Sequence, residues 1–299
     1  MNPAFEPGPP PAAGRRALPR LHAAAAWGPL LAAIVLACLA GPAVWRASPT
    51  ETDLLNRFAG PSLQHPLGTD SFGRDLLARI LHGGRNSLLT AGLVLVCTVS
   101  IGAVVGVSSA VVGGRIDQAI ARLVDGMLAL PSLILALGVV GALGPGWRSL
   151  VIALVATGWP WFARVYRSLV ITERERGYVA AARALGAGPL RIAICHIGRN
   201  VFGPGLVVAT TELGNAILGL AAFSFLGLGV APPTPEWGLM VSDGRQHFQS
   251  HPWIIIAPGL AITITVVAVN LFGDALRDAT DPLRARRSRG SANAANLPN

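Results

Sequence analysis

The chain of 299 residues contains no lysine, only three cysteines and two tyrosines, and few charges of either sign. Charged residues make up 13% of it, against about 25% in soluble globular proteins, while 52% of it is hydrophobic. With a mean hydropathy of +0.53, this excludes an ordinary soluble domain and points to an integral membrane protein. Without lysine there is no glycine-rich loop ending in the lysine that holds nucleotide phosphates, so the chain does not bind ATP through a Walker motif. No catalytic constellation stands in its place. Cys38, Cys97 and Cys195 have no metal-ligand spacing, and the first two sit in apolar runs where cysteine behaves as a small hydrophobe. All 24 basic residues are arginine and the net charge is +9. These arginines fall between apolar runs rather than along one basic stripe with interleaved aromatics, which argues against nucleic acid as a partner.

What is present is a series of apolar runs, each close to the roughly 20 residues that cross about 30 Å of hydrocarbon. Six are read as spans: Trp27–Val44, Leu88–Val112, Leu123–Leu143, Leu150–Val170, Val201–Phe225 and Trp253–Phe272. The fourth carries Arg164 and Arg167 in its last turns, which can snorkel to an interface. Arginine placement orients the chain. Loop 171–200 holds Arg174, Arg176, Arg183, Arg191 and Arg199, and loop 113–122 holds Arg115 and Arg122. Loops 144–149 and 226–252 hold only Arg148 and Arg245. The first pair is therefore expected on the cytoplasmic side, with both termini there as well. That agrees with Arg15, Arg16 and Arg20 before the first span and with Arg284, Arg286, Arg287 and Arg289 after the last. Segment 46–87, with five arginines against four acids, then lies outside. An amphipathic interfacial helix around Asp75–His82 would explain its mixed character. Residues 1–26, with their proline run, and 285–299 read as disordered cytoplasmic tails. Residues 27–87 form a first span with an external segment, and 88–284 a core of five spans.

Segment 171–200 is too polar to enter a bilayer. In it Tyr178, Ala181, Ala182 and Leu185 fall at i, i+3, i+4 and i+7, one face of a short helix, with Arg183 off that face. Gly186 stands where a helix ends on a left-handed residue, and Gly188-Pro189 prevents continuation. Leu190, Ile192, Ala193, Ile194 and Ile197 begin a second short helix or the entry to the fifth span. The small alanines suit close approach to a groove in another protein. Periodicity alone equally allows an amphipathic helix lying on the membrane surface.

The string Tyr178-Val-Ala-Ala-Ala-Arg-Ala-Leu-Gly186-Ala resembles the EAA loop of ABC-type importer permeases. Further strings are similar to one branch of that family, the dipeptide, oligopeptide and nickel permeases of the second (DppC/OppC-like) type. They are His65-Pro-Leu-Gly-Thr-Asp70 with Gly73-Arg-Asp75, Arg122-Leu-Val-Asp125 with Leu130-Pro131, Gly158-Trp-Pro160 with Ala163-Arg164, and Ser224-Phe-Leu-Gly-Leu-Gly229 with Pro232-Pro-Thr-Pro235 and Trp237-Gly238. Gly273-Asp274, Leu276-Arg-Asp278 and Asp281-Pro282 complete the series, which runs in order from about residue 62 to residue 284. Three positions depart from the family pattern: Ala180 stands where the loop usually begins with glutamate, Gly198-Arg199 where a Leu-Pro pair usually follows, and Leu220 where many relatives carry glutamate.

The resemblance implies an all-α, six-span permease of the type I ABC importer fold in the bacterial inner membrane, surrounded by lipid. It implies that the chain catalyses nothing and holds no cofactor, ATP and Mg belonging to two separate ATP-binding subunits. A second homologous permease subunit and an extracytoplasmic substrate-binding protein complete the implied assembly. Tyr178, Ala181, Ala182, Arg183, Leu185 and Gly186 would couple the chain to the ATPases. Asp70, Arg74 and Asp75 would shape the external segment. The substrates implied are di- or oligopeptides first, with nickel or another small solute as the alternative. Two readings of another class remain, an ATP-independent secondary transporter and a membrane scaffold. The first calls for inverted repeats and charged residues at the midplane, but no repeat is visible and Glu212 is the only acid well inside a span. Glu212, with Asn215 nearby, lines the translocation path, or contacts a neighbouring subunit, or is held protonated. His247 and His251 have a metal-binding i, i+4 spacing, but Pro252 follows and no third ligand is near, which favours a structural role.

Overall fold

The computed structural model describes residues 20–188 and 191–280. The proline-rich start, the tail beyond residue 280 and Leu190 lie outside the described residues. Nine α-helices follow one another among those described: α1 Arg20–Val44, α2 Leu76–Val112, α3 Gly114–Ala129, α4 Ser132–Leu143, α5 Trp147–Arg174, α6 Gly177–Ala184, α7 Arg199–Phe225, α8 Trp237–Gly244 and α9 Trp253–Thr280. A π-helical stretch, Ile192–Gly198, leads directly into α7. α1 extends back to Arg20, into the stretch read as tail. Five helices are long and apolar enough to cross a membrane, and a sixth crossing requires α3 and α4 together.

That third span is not the straight helix that the run Leu123–Leu143 suggested. α3 and α4 meet at 91°. Pro131 has no N–H to donate and holds the residue before it out of the helical region, and Leu130 accordingly ends α3 in an extended conformation at φ −89°, ψ 139°. The second span also differs. α2 begins twelve residues before Leu88 and runs for 37 residues, roughly 55 Å at 1.5 Å per residue. Residues 75–82 are therefore not a surface helix but the capped first turns of α2, with Leu76, Ala78 and Arg79 buried. The Asp75 carboxylate starts the helix by accepting from the Ala78 N–H at 2.6 Å, a side-chain N-cap.

α2 lies along α5, and α7, α9 and α1 close around them. The contact is set by Gly102 and Gly106, a small-xxx-small pair that lets two backbones approach. A Cβ on Gly102 would press into Phe162 and stand 2.8 Å from the Ala163 nitrogen, and one on Gly106 would lie 3.0 Å from the Arg167 nitrogen. Gly102→Leu is expected to destabilise the protein by about 1–3 kcal/mol through overpacking, read as a lowered thermal midpoint in detergent. Gly92→Leu on the same helix, where nothing lies within 4 Å, should leave that midpoint in place. Toward one end of the bundle, Asp117 on α3 takes a two-pronged bond from Arg167 at 2.6 and 2.7 Å, and Asp125 pairs with Arg164 at 2.5 Å. These arginines thus strap α3 to α5.

At the other end, segment 45–75 folds over the start of α2. Asp75 also accepts from Trp45 Nε1 at 3.0 Å and meets His65 Nδ1 at 2.8 Å. Asp70 pairs with Arg74 at 2.7 Å and Arg79 at 3.3 Å, all three side chains being buried. Arg79 further donates to the carbonyls of Pro49 and Pro233, tying this segment to the connection between α7 and α8. His251 stacks on Phe58 at 4.2 Å and His247 meets the same ring edge-on at 4.9 Å, so both imidazoles take part in holding this cap.

Candidate functional site

Where α5 leaves the bundle at the arginine-rich end, the chain turns at Arg176, extended at φ −75°, ψ 143°, and enters α6. α6 has only eight residues, too few to persist alone, so its order must come from packing. Val179 and Ala182 supply it. Both are buried in one apolar cluster with Phe162, Tyr166 and Val170 of α5, Ile192 and Ile197 of the π-helical stretch, and Val201 of α7. The helix is closed by Gly186 at φ +81°, with Gly186 N–H donating to the Arg183 carbonyl and Ala187 N–H to that of Ala182, both at 3.0 Å. This reciprocal pair is a Schellman cap.

Tyr178, Ala181, Ala182 and Leu185 do not share one face. Ala182 points into the core and Tyr178 is half-buried, while Ala181, Arg183 and Gly186 are exposed and Leu185 is 89% exposed. For Leu185 the reason is the cap: it already lies outside the helix at φ −80°, ψ 9°, so helical periodicity no longer positions it. The outward surface consists of Ala180, Ala181, Arg183, Ala184 and Leu185, small side chains around one large apolar one. Beneath α6 a cavity of about 210 Å³ is lined by Val111, Arg174, Arg183, Ala187, Ile192 and Ile197, among others. Arg174 donates to the Ala110 carbonyl in the last turn of α2.

Two residues not singled out from the sequence for a role of their own complete the site. Glu173, the penultimate residue of α5, is 8% exposed. It accepts the Tyr178 hydroxyl at 2.6 Å and pairs with Arg176 at 2.9 Å. Asn200, in the first turn of α7, donates its amide to the same Tyr178 oxygen at 2.9 Å. Burial first, and then the bond to Glu173, push the Tyr178 phenol above its ordinary value, so it stays protonated and donates. Their separation along the chain hid this cluster. The only signal was an acid and an amide flanking an arginine-rich loop.

The three family departures fall in different surroundings. Ala180 is on the exposed surface of α6. Leu220 is buried at 2% exposure in the apolar cluster of α2, α4, α5, α7 and α9, where an ionised glutamate would lack a partner. Gly198 ends the π-helical stretch, whose wide turn brings the Ala193 carbonyl within 3.0 Å of any Cβ.

Glu212 stands midway along α7, half-buried, and Asn215 is exposed one turn on. The Asn215 amide donates to the Glu212 carboxylate at 2.9 Å. Asn215 is on the side of α7 turned away from Ile217 and Leu220, which enter the core, and Glu212 lies at the edge between the two sides, half-buried. A carboxylate at the midplane of a span costs about 2.5–3.5 kcal/mol against lipid, so this face suits water or another protein chain. Toward the capped end, a cavity of about 660 Å³ is lined by Asn86, Thr90, Trp147, Leu150, Leu220 and Glu236, among others. Trp147 Nε1 donates to the Thr90 hydroxyl there at 2.9 Å.

Residues 99–286 match the family described as binding-protein-dependent transport system inner membrane component. The nickel transport system permease protein NikC of Escherichia coli (strain K12) is 42% identical over 261 residues, covering 86% of this chain and 94% of that protein. The dipeptide transport system permease protein DppC of the same strain is 47% identical over 223 residues, covering 75% and 74%. The di/tripeptide transport system permease protein DppC of Pseudomonas aeruginosa (strain UCBPP-PA14) is 46% identical over 216 residues, covering 72% and 71%. Among solved structures, a chain of the MetNI methionine ABC transporter in inward-facing conformations superposes with a TM-score of 0.55 at 20% identity, covering 68% of this chain and 97% of that one. That likeness bears on the fold alone.

Proposed function

We propose a function from one premise: the chain belongs to the family of binding-protein-dependent transport system inner membrane components. It is a multi-pass permease subunit of an ABC importer, and ATP with its Mg belongs to two separate ATPase subunits. The observation that carries the coupling role is the outward surface of α6 and its cap, where Leu185 stands 89% exposed at the end of a helix packed into the core between two spans. An exposed leucine ringed by alanines suits insertion into a groove of a soluble partner better than contact with water. Closure of the ATPase dimer would push α6, and rocking of the spans would open the path alternately to each side. Nucleotide binding then biases the two states.

The excess of arginine around α3, α6 and the start of α7 supports a cytoplasmic position for that end, and with it both termini. The capped end, with its folded segment 45–75, would then face the extracytoplasmic binding protein. Asn215 on the outward face of α7, with Glu212 at its edge, supports a path enclosed with a second, homologous permease.

The substrate proposed is a di- or oligopeptide, on the strength of relatives named for dipeptide and di/tripeptide transport at 46% and 47% identity. Nickel is the second reading, because the nickel relative aligns over more of the chain. Tagging the chain and purifying it from native membranes is expected to bring a second permease and two ATPases. In a deletion strain, uptake of a labelled dipeptide should fail and return with the gene. Restored nickel uptake alone would favour the second reading. Isolation of the chain alone, transporting in vesicles without ATP, would replace both with a secondary transporter.

A further inference from the structure

The loop that follows α6 contains a weak link. Between α6 and α7 the chain passes through the Gly186 turn and then through the π-helical stretch Ile192–Gly198. A π-helix is a rare, wide turn with i→i+5 hydrogen bonds, found frequently at functional sites. A push on α6 carried only by this covalent route would be absorbed there before reaching α7.

Tyr178 offers a second route. Its hydroxyl lies between the Glu173 carboxylate on the last turn of α5, at 2.6 Å, and the Asn200 amide on the first turn of α7, at 2.9 Å. The bond to Asn200 spans 22 residues of sequence and bypasses the whole π-helical stretch. Glu173 is anchored on its other oxygen by Arg176 at 2.9 Å and is 8% exposed, so a hydrogen bond to it is charge-assisted and poorly screened. One phenol oxygen thus joins three helices: it donates its one proton to the acid and accepts from the amide.

We infer that Glu173, Tyr178 and Asn200 form a brace that makes α6, the end of α5 and the start of α7 move as one body, and that Tyr178 serves there as a positioning residue rather than as a contact to the ATPase. This rests on the coupling reading of α6 and adds the means by which motion of α6 reaches two spans. With the brace broken, the ATPases still dock on Leu185 and its alanine surround and still hydrolyse ATP. The apolar packing of Val179 and Ala182 against α5 and α7 still links the helices, but part of the stroke is lost in the π-helical stretch and less solute moves per ATP hydrolysed.

The test uses the complete transporter, this chain with its second permease and ATPases, in proteoliposomes with the binding protein outside, and reads solute moved per ATP hydrolysed. Asn200→Ala is expected to keep the ATPase subunits at wild-type stoichiometry while that ratio falls about tenfold, the scale of one lost hydrogen bond to a strong network. Tyr178→Phe, which keeps the ring and removes only the hydroxyl, should lower the ratio to the same degree. The double variant should be no worse than either single, since all three break one brace. Unchanged ratios in both singles, losses that multiply in the double variant, or loss of the ATPase subunits from Asn200→Ala would each overturn the brace. Leu185→Asp separates this from the reading beneath it. That variant should shed the ATPases, and if it keeps them and transports normally, the coupling role of α6 falls and the brace with it. If it sheds them while Asn200→Ala and Tyr178→Phe transport normally, the brace alone falls.

Discussion

Gly186→Val is expected to abolish uptake, by more than about tenfold, while the chain still inserts in the membrane at normal levels. The loss does not come from crowding, since nothing lies within 4 Å of where a Cβ would stand. It comes from the backbone. Gly186 sits at φ +81°, a region that costs a β-branched residue about 1–3 kcal/mol. An eight-residue helix has little reserve against that. When the cap relaxes, the bonds from Gly186 N–H to Arg183 and from Ala187 N–H to Ala182 are lost, and Leu185, held outward only by this turn, loses its place on the docking surface. Gly186→Asn is the informative partner, because asparagine tolerates the left-handed region. It should retain most of the uptake. Uptake of a labelled dipeptide in the deletion strain, with immunoblots of the membrane fraction, reads both. Equal failure of the two variants would place the cause in the added side chain, and normal uptake by the valine variant would remove the cap from the coupling mechanism.

The sites legible in the sequence were those where local chemistry decides. Apolar runs placed the five long helices that can cross a membrane, because a run of that length has few other uses, and Gly186 announced its own turn. The errors arose where one local signal was followed past its range. A count of apolar residues carried the third span through Pro131, although the missing N–H there was in view. Helical periodicity carried the face of α6 to Leu185, one residue beyond the end of the helix. The start of α2 failed for a different reason. Residues 74–79 contain two arginines and an aspartate, which by composition resemble an interfacial surface, whereas Arg74, Asp75 and Arg79 are all at most 4% exposed. Composition cannot tell a buried guanidinium from a solvated one when its partners, Asp70 and the carbonyls of Pro49 and Pro233, come from other segments. The brace was hidden by the same distance, since Glu173 and Asn200 meet only through the packing of α5 and α7 around Tyr178.

At the capped end the largest stability effect is expected from Asp70→Asn, larger than from Arg79→Met, although Arg79 is the bigger and more deeply buried side chain. Removing one partner of a buried ion pair costs about 3–5 kcal/mol, because the other is left charged and unpaired. Asp70 is shared by two guanidinia, Arg74 at 2.7 Å and Arg79 at 3.3 Å, and its neutralisation leaves both without their acid. Asp243, in the same small recess, is a poor substitute: burial raises its carboxyl above the ordinary range, against the opposing pull of Arg79 and Arg74. Removing Arg79 instead leaves Asp70 paired with Arg74 and still accepting from the backbone N–H groups of Phe72 and Arg74 at 2.8 and 3.0 Å. Methionine fills much of the space, and what is lost is the longer of the two ion pairs to Asp70 and the bonds to the Pro49 and Pro233 carbonyls. Thermal unfolding in detergent should therefore rank wild type above Arg79→Met and Arg79→Met above Asp70→Asn. Protease should cut within residues 46–75 first in the asparagine variant, because that segment is held to α2 chiefly through these groups. The reverse ranking would mean that the two carbonyl contacts of Arg79, rather than the shared carboxylate, hold the cap onto the bundle.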